Sequence, residues 1–141
     1  MIEKKTKIKI LVAANPKSKH EKGTFGKRKI IYNSTAELIK NSSGVFLHNS
    51  TAVNFAILFK KPTFFITSDH IKQSWLHEGI YLMSKSLNKK VINMSSFKQG
   101  DKINSHIDYK SYQKFKSQYI KCTKTKNIFS WEILYKNLKT I

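Results

Sequence analysis

Several features that would suggest secretion or membrane insertion are missing from the sequence. The single cysteine, Cys122, excludes an internal disulfide and is typical of a reducing compartment. The longest apolar run, residues 53–59, is interrupted by Asn54 and is too short to cross a bilayer. Residues 1–5 contain no apolar leader segment, so no secretory signal is predicted. Together these absences predict a cytoplasmic chain.

Arginine is also nearly absent, although the net charge is +19. Arg28 is the only arginine, and the other 26 basic residues are lysines. Because arginine is the preferred reader of phosphate forks and base edges, the composition argues against sequence-specific nucleic-acid binding. A Lys-, Asn- and Ile-rich composition is also what an A+T-rich genome produces. We therefore interpret most lysines as solvated, and the remaining excess as attraction for an anionic partner such as a lipid surface or a nucleotide phosphate.

Two common cofactor and metal motifs are missing as well. His48, His70 and His77 follow no recognised metal spacing, so no metal ligand and no cofactor are predicted. Gly23 and Gly26 lie among lysines but do not match the P-loop pattern. The sequence therefore gives no support for zinc chemistry or for a P-loop nucleotide hydrolase.

Apolar segments that suit strands and helices alternate along most of the chain. At 141 residues and 40% hydrophobic content, the chain is expected to fold as one domain. Strands are predicted at residues 7–14, 29–32, 44–48, 63–67 and 91–94. Helices are predicted at 35–41, 51–60, 70–88 with a possible break at Gly79, from 109 onward after an Asp108 cap, and from 131 onward after a Ser130 cap.

This alternation predicts βαβ units with right-handed crossovers. The expected fold is α/β: a three-layer, Rossmann-like domain with a mainly parallel sheet of about five strands and helices on both faces. The α/β core is expected at about residues 7–95, and C-terminal helices form an extension at 105–141. Ser34 and Glu37 fit a capping box at the first helix. Tyr112, Phe115 and Tyr119 are expected to share one face of the helix after Asp108.

Polar clusters follow four of the predicted strands. In open parallel sheets, ligands bind where strands end and helices begin, so these clusters are expected to line one edge. They comprise Asn15, Pro16, Lys17 and Ser18; Asn33, Ser34 and Thr35; His48, Asn49, Ser50 and Thr51; and Thr67, Ser68, Asp69 and His70.

The third cluster, residues 48–51, carries the most chemical information. Backbone N–H groups at a helix start favour an anion, and Ser50 and Thr51 add hydroxyl donors for a phosphate. His48 can donate a hydrogen bond or carry a proton near neutral pH. Plain N-capping by Asn49 or Ser50 is the competing interpretation, and the spacing alone favours it. Ser68 or Asp69 can cap the helix that follows the predicted strand 63–67. Asp69 also fits a contact to ribose hydroxyls or a base.

Short motifs in these clusters resemble one enzyme family. Residues 13–18 (AANPKS), 34–39 (STAELI), 48–56 (HNSTAVNFA) and 61–62 (KP) look like the C-terminal half of a GT-B-type glycosyltransferase. The resemblance covers about residues 7–95 and is nearest to bacterial enzymes that build capsule, lipopolysaccharide or sialylated surface glycans. It implies binding of a CMP-, UDP- or GDP-linked sugar without a required metal. In that family, two motifs that match Asn15-Pro16 and Ser50-Thr51 contact the sugar nucleotide. With the strand-end clusters, the candidate nucleotide-binding residues are Asn15, Pro16, Lys17, Ser34, His48, Asn49, Ser50, Thr51, Ser68 and Asp69.

The sequence departs from that family in two respects. Asn15 stands where the family has a histidine, and an asparagine side chain cannot become a cation or act as an acid. GT-B enzymes also use two Rossmann-like domains, whereas this chain starts at the first strand of the second. It is therefore expected to be a donor-binding half that is inactive alone. It is expected to need an N-terminal half or a partner chain. The only candidates for a catalytic residue are His48 and Asp69. Peripheral contact with the inner membrane face is expected from the lysines. The alternative is a non-enzymatic basic α/β module that binds nucleic acid or another polyanion.

Overall fold

The structure is a computed structural model that describes residues 9–98, 100–123, 125, 128, 129, 132 and 135. Within these residues, short strands alternate with short helices. The strands are β1 (Leu11–Ala14), β2 (Lys29–Tyr32), β3 (Val45–Leu47), β4 (Thr63–Thr67) and β5 (Val91–Asn93). The helices are α1 (Thr35–Lys40), α2 (Val53–Leu58), α3 (Asp69–Lys72), α4 (Leu76–Ser86) and α5 (Tyr109–Phe115), and α5 continues into a π-helix (Lys116–Ile120).

All pairing between these strands is parallel, which confirms the expected α/β class. Strands β1 and β2 form one small sheet, with Val12 opposite Ile30. A second sheet has the order β3-β4-β5, with Phe64 opposite Phe46 and Ile66 opposite Ile92. The five strands expected from the sequence therefore occur as two parallel groups of two and three.

The hydrophobic core is centred on the middle strand, β4. Its residues alternate between buried and half-buried, and Thr63, Phe65 and Thr67 form the buried side. Strong alternation in a parallel strand reflects unequal cover on its two faces. The core cluster joins this strand to β3, α2, α4 and α5 through Leu47, Val53, Ile57, Phe65, Ile80, Leu87, Tyr112 and Phe115.

The predicted helix over residues 70–88 is divided into α3 and α4, and the division lies before Gly79. The Ser74 hydroxyl donates to the Ile71 carbonyl at 2.7 Å and accepts from the Leu76 N–H at 3.4 Å. Such side-chain bonds offer the backbone an alternative to helical pairing, which explains a break at this serine. Gly79 lies inside α4, so the predicted break at the glycine is wrong.

Two other helix predictions need correction. Ser34 does precede α1, but its side chain makes no capping hydrogen bond, so the predicted capping box is not formed. Tyr119 is 65% exposed, whereas Tyr112 and Phe115 are buried as expected. The π-helix after Phe115 explains this difference, because its wider turn moves Tyr119 away from Tyr112 toward solvent. The Tyr119 ring still packs on Phe115, with 4.7 Å between ring centroids.

Asp108 caps α5 as predicted, accepting a hydrogen bond from the Ser111 N–H at 3.1 Å. Of the helix predicted from residue 131 onward, Glu132 and Tyr135 are described and are helical, whereas Ser130, Trp131, Leu134 and Leu138 lie outside the described residues. No helix in the described ranges is both long and apolar enough to cross a membrane.

Candidate functional site

The carboxyl ends of β3, β4 and β5 meet at one edge of the second sheet, because the three strands are parallel. Residues 48–51 follow β3, Ser68 and Asp69 follow β4, and Ser95 follows β5 after one intervening residue. This edge is where ligands bind in open parallel sheets. Residues 48–51, Ser68 and Asp69 therefore lie at the kind of edge where the sequence predicted a site.

Asp69 lies at the centre of a hydrogen-bonded cluster at this edge. The Asn93 side-chain amide donates to Asp69 Oδ1 at 2.8 Å, and the Asp69 N–H donates to Ser95 Oγ at 3.0 Å. The Ser95 N–H in turn donates to Asn93 Oδ1 at 3.2 Å. The Met94 N–H donates to the Thr67 carbonyl at 2.8 Å and so holds β5 against β4 just below the cluster. Asp69, Asn93 and Ser95, which lie at the ends of β4 and β5, are thus fixed relative to one another.

The cluster also sets the charge state of Asp69. The hydrogen bond from Asn93, followed by the one from Lys72, holds the pKa of the Asp69 carboxyl below its usual value. Lys72 Nζ lies 3.4 Å from Asp69 Oδ1 in an exposed pair, which contributes little stability. Asp69 is therefore a carboxylate at neutral pH. A lowered pKa suits a hydrogen-bond acceptor better than a general base working near pH 7.

Ser68 has a structural role next to this carboxylate. Its hydroxyl accepts from the Ile71 N–H at 3.2 Å and so caps α3. The sequence allowed either Ser68 or Asp69 to cap this helix, and the structure assigns the cap to Ser68. The Asp69 carboxylate is thereby left available for the cluster with Asn93.

The loop after β3 is arranged differently from the sequence prediction. Helix α2 begins at Val53 and has only six residues, and Ala52 precedes it without a side-chain cap. Ser50 Oγ accepts from the Ala52 N–H at 3.2 Å, which forms a local turn ahead of the helix. His48 and Thr51 are exposed. The hydroxyls of Ser50 and Thr51, more than the end of so short a helix, are what this loop offers to a ligand.

Asn49 has a tertiary contact that its position in the sequence does not reveal. A Cβ atom placed on Gly79 would lie 3.0 Å from Asn49 Nδ2 and 3.2 Å from Asn49 Cγ. The asparagine therefore packs directly on the helical backbone of α4. The glycine is what permits this close approach, and it ties the loop after β3 to α4.

The remaining predicted site residues belong to the first sheet. After β1, the Lys17 N–H donates to Asn15 Oδ1 at 2.9 Å, and the turn of Asn15, Pro16 and Lys17 is exposed. After β2, Asn33 adopts a left-handed φ of 57°, and Ser34 is half-buried. The structure brings Ser68 and Asp69 together with the end of β5. Asn15, Pro16, Lys17 and Ser34 instead follow strands of the other sheet.

Two cluster members, Asn93 and Ser95, were missed by sequence reasoning. They follow the fifth strand in the same way that the four recognised clusters follow theirs. That position was the available signal, because every parallel strand of a sheet delivers its carboxyl end to the same edge. Asn93 and Asp69 are 24 residues apart, so their contact depends on the pairing of β4 with β5.

Among the described residues, no group of three or more His, Cys, Asp or Glu side chains is placed to hold a metal ion. Comparison of the chain with protein-family models, with curated proteins and with solved structures found no match.

Proposed function

We propose that the chain binds a nucleotide sugar at the carboxyl edge of the β3-β4-β5 sheet, as the donor-binding half of a GT-B-type glycosyltransferase for bacterial surface glycans. The observation that supports this function is the ionised Asp69, oriented by Asn93 and Ser95 at that edge. An oriented carboxylate accepts hydrogen bonds from vicinal hydroxyls such as those of a ribose. In this proposal, both parallel sheets and their helices form one three-layer, Rossmann-like unit.

The proposed contacts divide the ligand into three parts. Asp69 accepts from the ribose, and the Ser50 and Thr51 hydroxyls donate to the phosphate, with His48 as a further donor. Asn15 and Lys17 contact the nucleotide from the end of β1. The helix dipole of α2 contributes less than a long helix would, because α2 is only six residues long.

Catalysis by this arrangement requires a second domain that closes the other side of the cleft. The lowered pKa of Asp69 makes it an acceptor and not a base, and His48 is exposed. The proposal therefore assigns donor binding to this chain and the acceptor and catalytic base to a second domain or a partner. Hydroxyl donors and a shaped pocket stabilise the leaving nucleotide only once water is excluded from the cleft.

Binding of CMP-, UDP- and GDP-sugars, measured by thermal shift and calorimetry, tests this function. A ligand at a hundredfold excess over its dissociation constant is expected to stabilise the fold by about 2–3 kcal/mol. Replacement of Asp69 by asparagine removes a charged acceptor and is expected to weaken binding about tenfold. Glu37→Gln is the matched control, since Glu37 is an exposed carboxylate on α1. The absence of a response to every nucleotide sugar, or unchanged affinity after Asp69→Asn, would refute the proposal.

Binding of a polyanion is the second candidate, and the loop between β1 and β2 favours it. His20 lies 5.0 Å from Phe25 and 6.4 Å from Tyr32 between ring centroids, in a segment with several lysines. Aromatic rings among cations suit single-stranded nucleic acid. Replacement of Ser50 and Thr51 by alanine discriminates the two candidates: loss of nucleotide-sugar binding with intact RNA binding supports donor binding at the β3 loop. RNA binding by a chain that binds no nucleotide sugar supports the polyanion function.

A further inference from the structure

Helix α4 exposes large apolar side chains to solvent. Trp75, which immediately precedes the helix, is 82% exposed, and Leu82 is 56% exposed. These two residues are seven positions apart, so they lie along one stripe of the helix. Tyr81 is also exposed, but it lies about 100° around the helix from Leu82. We call Trp75 and Leu82 the Trp75 face.

The opposite side of α4 fixes the orientation of this face. Ile80 and Leu87 are fully buried in the core cluster, and Ser84 is buried with them. Because these residues anchor the helix to the β3-β4-β5 sheet, the Trp75 face cannot turn inward without opening the core. Its exposure follows from the packing of the whole domain.

The charges around the Trp75 face indicate the kind of surface that can cover it. Lys85, three residues after Leu82, is exposed, and the chain as a whole carries +19. Lys72, three residues before Trp75, is exposed as well but pairs with Asp69. Two copies of so basic a chain repel one another, whereas an anionic surface attracts each copy. Glu78, in the first turn of α4, is the exposed carboxylate between Trp75 and Leu82 and opposes that attraction.

We propose that the Trp75 face docks on the surface of a bilayer that contains anionic lipid. Tryptophan has an apolar body and a polar tip, which suits the boundary between headgroups and acyl chains. Trp75 and Leu82 supply little buried area, so docking depends on the lysine charge and is reversible. This inference stands independently of the proposed function.

Helix α4 also contacts the loop that follows β3. Asn49, in this loop, packs on Gly79 in α4. The helix that carries the Trp75 face therefore also supports one part of the carboxyl edge.

Co-sedimentation of the full chain with vesicles tests the inference. The probes are phosphatidylcholine vesicles and vesicles containing about 30% phosphatidylglycerol. We expect binding to the anionic vesicles, weakened by high salt. Replacement of both Trp75 and Leu82 by alanine is expected to weaken binding about tenfold or more. The matched control is Tyr119→Ala, which removes an equally exposed aromatic ring on the π-helix and is expected to bind as the wild type does.

Two further measurements address the same surface. Glu78→Gln removes the opposing carboxylate and is expected to strengthen binding about fivefold, since one charge near the membrane contributes about 1 kcal/mol. Trp131→Phe leaves Trp75 as the single tryptophan, and its emission is expected to shift to the blue on anionic vesicles. If this variant does not fold, the sedimentation series still provides the test.

Four results would overturn docking by the Trp75 face. They are equal binding to neutral and anionic vesicles, unchanged binding of the Trp75 and Leu82 double variant, binding that high salt does not weaken, and self-association in sedimentation velocity that this double variant abolishes. The last result would assign the face to a second copy of the chain. Nucleotide-sugar binding is measured separately without vesicles, so failure of one proposal is distinguishable from failure of the other.

Discussion

Replacement of Tyr112 by phenylalanine removes one hydroxyl on which the packing of α5 depends. The Tyr112 hydroxyl donates to the Lys61 carbonyl at 2.8 Å and lies 3.0 Å from the Thr63 hydroxyl. Tyr112 is 3% exposed and Thr63 is fully buried. Because the single tyrosine hydrogen is directed to Lys61, the Thr63 hydroxyl is the donor in the second bond. The ring itself stays in place in the variant, so no large cavity forms.

The expected loss follows from the groups that the variant leaves without partners. A buried polar group without a hydrogen bond costs about 1–3 kcal/mol, and two such groups are affected here. Both can recover part of this through small shifts, so we expect the free energy of unfolding to fall by about 2 kcal/mol. For a chain of this length that lowers the melting temperature by about 4–8 °C. Burial raises the pKa of the Tyr112 hydroxyl, so the group is neutral at pH 7 and the experiment measures neutral hydrogen bonds.

Urea unfolding followed by circular dichroism measures this change. A double-mutant cycle with Thr63→Val isolates the bond between the two side chains, because valine replaces the hydroxyl with a methyl group. The double variant is expected to lose less than the sum of the single losses, by about 0.5–1.5 kcal/mol. Tyr119→Phe is the exposed control and should change stability by less than about 0.5 kcal/mol. If Tyr112→Phe changes stability no more than this control does, then α5 is not joined to β4 in the way described.

Two further predictions concern a helix cap and a close contact. The Ser111 N–H, and after it the Asn88 side chain, lower the pKa of Asp108 from 3.8 to about 2. Stability from this cap is therefore fully present above about pH 4 and lost as the pH falls toward 2. Acid titration should show the difference in stability between wild type and Asp108→Asn shrinking over that range, and a constant difference would contradict the cap. Gly79→Ala improves helix propensity by up to about 1 kcal/mol but displaces the exposed Asn49 side chain. We expect unchanged or slightly higher stability in urea with weaker nucleotide-sugar binding. Unchanged affinity for the nucleotide sugar would show that the contact between Asn49 and Gly79 is not part of the binding site.

The local elements of this protein were largely predictable from nearby residues. The apolar segments at 29–32 and 63–67 form strands with the predicted bounds, and Ser68 and Asp108 cap helices as expected. These outcomes depend on side chains that act within a few positions, such as a cap oxygen three residues before its N–H donor. The carboxyl-edge rule also predicted that the polar residues after β3 and β4 lie at one edge of a sheet, because parallel strands all end at the same edge.

Helix boundaries inside apolar segments were less predictable. The sequence suggested a break at Gly79, but Ser74 interrupts the helix through its own hydroxyl. The glycine is retained in α4 for a reason outside the helix, namely the approach of Asn49. Tyr119 leaves the predicted face because a π-turn changes the angular step along the same helix. In each case, a competing contact decided between conformations that differ little in local energy.

By itself, the sequence determined most of the strands and helices and the parallel α/β class. It placed all four polar clusters at one edge, whereas the structure divides them between two sheets. Tertiary structure alone decided that the strands divide into two groups, and that Asn93 and Ser95 hold Asp69 in addition to its chain neighbour Lys72. It also decided which side of α4 stays in solvent with Trp75. The physical reason is the same throughout. Backbone conformation responds to residues a few positions away, whereas hydrogen bonds and burial between distant segments depend on which strands pair and which helix covers them.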